Sequence, residues 1–179
     1  LGRTLVDVHP DEAKAYGLYG DLLYNSGQTE KAEIEYLKTL DLDKSVFTIW
    51  KQVMVIQYQL KKYPELTLSS EKAINYYPNQ AYPYVYNGLA HFEQGYTNEA
   101  SEMLIEANFI GTKDASLKNQ IKLLNAKLVA RRSGEEIVEM TKEDLFMRNI
   151  KSDDERIILP LKGNRFLVRI KMNSKAGDP

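Results

Sequence analysis

Through residue 114 the apolar positions recur at steps of three and four, the spacing that puts them on one face of an α-helix. The pattern itself repeats every 34 residues. A shift of 34 brings Tyr16, Trp50 and Tyr84 into register, then Gly20, Met54 and Gly88, then Ala32, Leu66 and Ala100, then Thr39, Ala73 and Ala107. This predicts three units, 13–46, 47–80 and 81–114, with no insertion between them. Each reads as two helices divided by a turn, at Gly27-Gln28-Thr29, Lys61-Lys62-Tyr63 and Gly95-Tyr96-Thr97. Gly20 and Gly88 let the first helix of a pair close on its partner, because no Cβ intervenes. Ala32 and Ala100 serve the same contact from the second helix. The aromatic at the fourth position is expected to fill the volume between neighbouring units, and Pro78 to follow a helix that it cannot continue.

These residues resemble the tetratricopeptide repeat (TPR) family, whose pattern has an aromatic at position 4, Gly at 8, Ala at 20, an aromatic at 24, Ala at 27 and Pro at 32. The first unit matches at Tyr16, Gly20, Ala32 and Tyr36 and departs at Thr39 and Lys44. The second matches at Trp50, Ala73 and Pro78 and departs at Met54, Leu66 and Ser70. The third matches at Tyr84, Gly88, Ala100 and Ala107 and ends on Thr112. Leu5–Pro10 looks like the tail of a preceding repeat. Residues 115–132 read as a closing helix, with Leu117, Ile121, Leu124 and Leu128 as its apolar stripe and Lys118, Lys122 and Lys127 outside it; a terminal unit needs one wet face. The resemblance implies an all-α fold: a right-handed solenoid of helical hairpins over 1–132, with three full repeats, a partial N-terminal repeat and the closing helix.

Composition changes near Arg131–Gly134. All 12 tyrosines lie between Tyr16 and Tyr96, and the chain from Arg131 onward carries net charge +2 against −3 before it. Residues 133–179 therefore form a separate, partly β extension. Glu135–Met140 is ambiguous between helix and strand. Thr141 to Asp144 has capping-box spacing, running into Leu145-Phe146-Met147. Ile157–Leu161, a Lys162-Gly163-Asn164 turn and Phe166–Met172 predict a hairpin. Phe166, Val168, Ile170 and Met172 alternate with Arg165, Arg169 and Lys171, giving one buried and one basic face. Residues 158–177 are similar to the opening strands of retropepsin-like aspartic proteases, which can follow TPR segments in bacterial proteins. The Asp-Thr-Gly of that family is absent, so the resemblance implies no active-site residue here.

Candidate chemistry is sparse. No cysteine is present, which excludes disulfides, thiolate metal sites and a cysteine nucleophile. The chain contains no phosphate-binding, dinucleotide, zinc-protease or serine-hydrolase motif. His91 stands two residues from Glu93, a spacing that points the two side chains apart on a helix. It reads as a packing residue, and Asp153-Asp154-Glu155 as a solvated turn rather than a metal site. No enzyme, cofactor or metal is expected. A net charge of −1 argues against a nucleic-acid partner, and no apolar run reaches the roughly 20 residues needed to span a bilayer. The chain opens at Leu1 with no leader pattern, so its start reads as cut from something longer. The compartment, cytoplasmic or envelope-associated, is left open.

The TPR resemblance implies a concave groove lined by the first helix of each unit at positions 2, 5, 9, 12 and 13. Those positions hold Lys14, Gly17, Asp21, Tyr24 and Asn25; Thr48, Lys51, Val55, Tyr58 and Gln59; and Tyr82, Val85, Leu89, Phe92 and Glu93. Tyr24, Tyr58, Tyr82 and Phe92 would form an aromatic rail beside Lys14, Asp21, Asn25, Lys51 and Gln59, a surface suited to a peptide or protein partner. Relatives that hold acidic chaperone tails have Lys and Asn at positions 5 and 9 of the first unit, and Lys and Arg at 2 and 6 of the third. Gly17, Asp21, Tyr82 and Tyr86 stand there instead, which disfavours such a tail. The sequence thus points to a binding scaffold. The alternatives are a substrate-positioning arm of a larger peptidase and a self-assembling, homo-oligomeric module. Tyr76 and Tyr77 are candidates either for a secondary contact patch or for packing between repeats.

Overall fold

The 34-residue period becomes helix pairs of constant length. In the computed structural model, which describes residues 2–151 and 156–171, α1 (Gly2–Val8) precedes three pairs: α2 (Ala13–Asn25) with α3 (Thr29–Leu42), α4 (Phe47–Gln59) with α5 (Tyr63–Tyr76), and α6 (Ala81–Glu93) with α7 (Thr97–Ile110). The first helix of each pair has 13 residues and the second 14. The chain divides into two compact units, 1–111 and 112–179.

Each pair turns at the same register through a residue with positive φ: Gly27 at 78°, Lys61 at 57° and Gly95 at 91°. The amide after each of these bonds back across the turn, from Gln28 to Leu23 O at 2.9 Å, Lys62 to Gln57 O at 2.8 Å and Tyr96 to His91 O at 2.9 Å. These bonds satisfy carbonyls that the helix end leaves open. Lys61 occupies a conformation that glycine adopts without penalty. Lys61→Gly is therefore expected to stabilise the chain by about 0.5–1 kcal/mol, seen as a higher denaturant midpoint at unchanged slope.

The fourth-position aromatics do something that the sequence does not announce. Each donates a hydrogen bond to the carbonyl six residues earlier: Tyr16 Oη to Pro10 O at 3.0 Å, Trp50 Nε1 to Lys44 O at 2.9 Å and Tyr84 Oη to Pro78 O at 3.1 Å. They pin the segment entering each unit. Of the three, only Trp50 is buried; Tyr16 and Tyr84 are half-buried, so only in part do they fill volume between units.

Positions 8 and 24 exchange size. A Cβ on Gly20 would lie 2.7 Å from two ring carbons of the buried Tyr36, so a small residue is obligatory there. In the second unit the large residue is Met54 and the small one Ser70, both fully buried. Adjacent units are tied by polar bonds in the interior. Gln57 Nε2 donates to Glu33 Oε1 at 3.0 Å, Lys62 pairs with Glu33 Oε2 at 2.5 Å, and Asn87 Nδ2 donates to Ser70 Oγ at 2.9 Å.

The second unit consists of α8 (Ala115–Ser133), β1 (Glu135–Thr141), α9 (Lys142–Met147), β2 (Ile157–Leu161) and β3 (Arg165–Lys171). The expected hairpin forms as β2–β3. The ambiguous Glu135–Met140 segment adds β1 on the other side of β3, giving an antiparallel sheet of order β1-β3-β2 with Val138 opposite Val168. Pro160 fits an edge strand, where its missing N–H is not needed. Met140, Leu145, Ile150 and Val168 form the core. Thr141 and Asp144 make the anticipated capping box.

One expectation is corrected. The helix at 115–132 forms as α8, and Leu117, Leu124 and Leu128 are buried, but it lies against β1 and β2. The boundary falls at Gly111–Thr112, not at 132–133, because the sheet offers the apolar stripe a face to cover. Met172 and the Asp153-Asp154-Glu155 run lie outside the described residues.

Candidate binding surface on the first helices

Helices α2, α4 and α6 carry all nine candidate contacts. Lys14, Asp21, Asn25 and Gln59 are exposed, while Tyr24, Lys51, Tyr58 and Tyr82 are half-buried. Phe92 is 8% exposed. It is corrected from a groove contact to a packing residue, as are Val85 and Leu89 on the same helix, both buried. α6 is apolar around most of its circumference, and such a helix is held inside rather than half out.

The remaining residues are joined by contact. The Tyr82 and Tyr86 rings stack at 4.8 Å between centroids, and Tyr58 meets Tyr86 edge-on at 6.0 Å. Lys51 Nζ lies 5.5 Å from the Tyr82 ring and 5.9 Å from Phe47, within range of a cation–π attraction. Lys51 makes no ion pair among the described residues. Farther along, Gln59 Nε2 reaches Tyr24 Oη at 3.5 Å and links α4 to α2. The row thus runs from Lys51 and Tyr82 through Tyr86 to Tyr58, with Tyr24 and Gln59 a second contact beside it. Tyr86, 7% exposed, is the buried ring against which Tyr82 and Tyr58 are braced rather than a contact itself, and sequence reasoning treated it only as a missing clamp residue. The i, i+4 spacing from Tyr82 is the pattern that points to it.

Asp21 has a structural role as well as an exposed position. It accepts the Tyr36 hydroxyl at 2.7 Å, and burial together with this bond pushes the Tyr36 phenol well above its ordinary range. Lys14 and Asp21 edge an open cleft of about 360 Å³ that is lined as well by Thr39, Asp43, Val46 and Ile49.

Burial, followed by the neighbouring Glu93 charge, pushes the Tyr58 phenol from 10.0 up to about 12. The folded state therefore keeps a proton that the unfolded chain loses near pH 10. Stability from this group is complete below pH 10 and is lost as pH rises toward 12. Tyr36 acts in the same direction. Thermal unfolding is expected to fall steeply above pH 10 and less steeply in Tyr58→Phe; equal slopes in the two proteins would refute the burial of this hydroxyl.

Among the described residues no cluster of three metal-ligating side chains occurs, and no helix is long and apolar enough to cross a membrane. His91 packs edge-on against Tyr96 at 5.9 Å. Tyr76 stacks on Trp50 at 6.1 Å and Tyr77 lies 4.7 Å from Phe47, so both tyrosines pack within the second unit; Tyr77 also reaches Lys44 O of the first unit at 3.5 Å, and Tyr76 remains 50% exposed.

Solved structures share this helical arrangement. The first TPR of Spaghetti (RPAP3), bound to the HSP90 peptide SRMEEVD, superposes with a TM-score of 0.56 at 17% identity, over 66% of this chain and 94% of that one. The TPR2B domain of yeast Sti1, from its pHsp70 complex, gives 0.56 at 21% identity over 67% and 98%. MamA from Desulfovibrio magneticus RS-1 gives 0.59 at 16% over 72% of each chain. No protein-family model matches the chain, and no curated protein matches it by sequence. The helical part has the TPR fold.

Proposed function

We propose that this chain is a non-catalytic scaffold that holds a peptide or protein segment along its first helices. The observation that carries the reading is the joined row of Lys51, Tyr82, Tyr86 and Tyr58. The half-buried Tyr82 and Tyr58 rings, braced on the buried Tyr86, offer contact surface with little rotamer freedom left to lose on binding. Lys51 adds a cation that is held over aromatic faces and has no carboxylate partner among the described residues. The TPR neighbours seen with HSP90 and Hsp70 peptides support binding as the use of this fold. Their ligand is not carried over, because Gly17, Asp21, Tyr82 and Tyr86 replace the basic clamp.

Tyr24→Ala combined with Tyr82→Ala removes two half-buried rings of the surface and leaves the buried helix contacts in place. Affinity capture with mass spectrometry is expected to lose specific partners in this variant at unchanged far-UV helicity. Recovery of the same partners in the same amounts would refute the surface.

A further inference from the structure

Between the second helices α3 and α5 the first two units leave a cleft of about 510 Å³. Leu40, Trp50 and Ser69 are buried at its floor, and Asp41, Lys44, Lys72 and Tyr76 stand exposed around them. Tyr76 is backed by the Trp50 ring, and the exposed Leu37 adds apolar surface. Trp50 Nε1 holds Lys44 O at 2.9 Å, which fixes the backbone from which one lysine projects. Neither Lys44 nor Lys72 makes an ion pair among the described residues, so two ammoniums face the single carboxylate of Asp41. Ser69 is 7% exposed, and its hydroxyl makes no hydrogen bond among the described residues, whereas Thr67 and Ser70 return theirs to backbone carbonyls. A polar group so deep is ordinarily paired.

Repeat geometry alone does not supply this set of residues. A shift of 34 puts Pro78, Met103 and Glu106 where Lys44, Ser69 and Lys72 stand. The next junction thus has no lysine at either place and a long side chain at the floor.

We propose that the cleft binds a small aryl carboxylate. The anion accepts from the Ser69 hydroxyl and the two ammoniums, and the ring lies on Tyr76 and Leu37. One surplus positive charge matches a monoanion better than a dianionic phosphate, and the volume is that of a small-molecule site. None of these residues belongs to the binding surface proposed above.

Trp50 is the only tryptophan of the chain, so its fluorescence reads the cleft directly. Titration of the full chain with 3-phenylpropionate is expected to shift the emission with a Kd of about 1 mM, in keeping with so small a ligand. The uncharged 3-phenylpropanamide should bind about tenfold more weakly, and phenyl phosphate no more tightly than the carboxylate. Lys44→Gln with Lys72→Gln should weaken the carboxylate by about tenfold and leave the amide unchanged. Ser69→Ala should weaken it about threefold. Ser69→Met, which brings in the residue of the third unit, should abolish binding at unchanged far-UV circular dichroism. Tyr24→Ala with Tyr82→Ala should leave it intact. An emission that does not move, an amide that binds equally well, or tighter binding of phenyl phosphate would each overturn the proposal. So would full binding by the double lysine variant or by Ser69→Met, or a loss in the Tyr24 and Tyr82 variant.

Discussion

Trp50→Ala is expected to lower the unfolding free energy by about 3–5 kcal/mol. The indole is 3% exposed. Burying about 150–250 Å² of it at about 25 cal/mol/Å² gives an upper bound of about 4–6 kcal/mol, because unfolded chains already bury part of their apolar surface. The ring does more than fill space. It holds Lys44 O in the segment leaving α3 and stacks on Tyr76 at the end of α5. Its loss therefore loosens the first unit from the second as well as the second from itself. Where stability is a sum of unit and nearest-neighbour terms, hydrogen exchange should show α2 and α3 opening separately from α6 and α7. Unchanged melting would mean that the assigned register is wrong. Trp50→Phe, which keeps an aromatic ring and drops the hydrogen bond, should lose far less.

Glu33→Ala is expected to lose about 2–4 kcal/mol. Glu33 is buried on α3 and binds Gln57 from α4 with one oxygen and Lys62, at the head of α5, with the other. Gln57 is buried as well, and its Oε1 already lacks a partner. Removing the carboxylate would strand the whole amide in the interior. Lys62 would suffer less, since its side chain is 37% exposed. Glu33→Gln keeps an acceptor for Gln57 and should restore about half of the loss, measured by chemical denaturation. A loss in Glu33→Gln equal to that in Glu33→Ala would show that the charge pair, and not the buried amide bond, carries the effect. The Glu33 hydrogen bond raises the Lys62 pKa, so this contribution is complete below pH 10.5 and is lost as pH rises through the higher folded value.

The period, the helix pairs, the β2–β3 hairpin and the Thr141 cap were legible because each is local: a spacing of apolar residues, a turn or a cap. What stayed hidden depends on partners far away in sequence. Glu135–Met140 alternates weakly, and it becomes a strand because β3 offers it an edge. The apolar stripe of α8 announces burial and is silent about what covers it. Lys61 conceals a left-handed turn that Gly27 and Gly95 advertise, and only the register exposes it. Among the candidate contacts, family positions fall on the first helices α2, α4 and α6. They did not separate Tyr82, at the surface, from Phe92, inside, because both are aromatic residues on one apolar helix.

The reciprocal sizes of Gly20 with Tyr36 and Met54 with Ser70 set rules for recombining the chain. Each pair lies within one hairpin, so moving a complete hairpin preserves it, provided the bonds from Glu33 to Gln57 and Lys62 and from Asn87 to Ser70 that join neighbouring hairpins are preserved too. Moving a single helix does not. A chimera that sets the second helix of the first unit against the first helix of the second unit brings a phenol ring onto a thioether and overfills the space. The converse splice leaves glycine facing serine across a void.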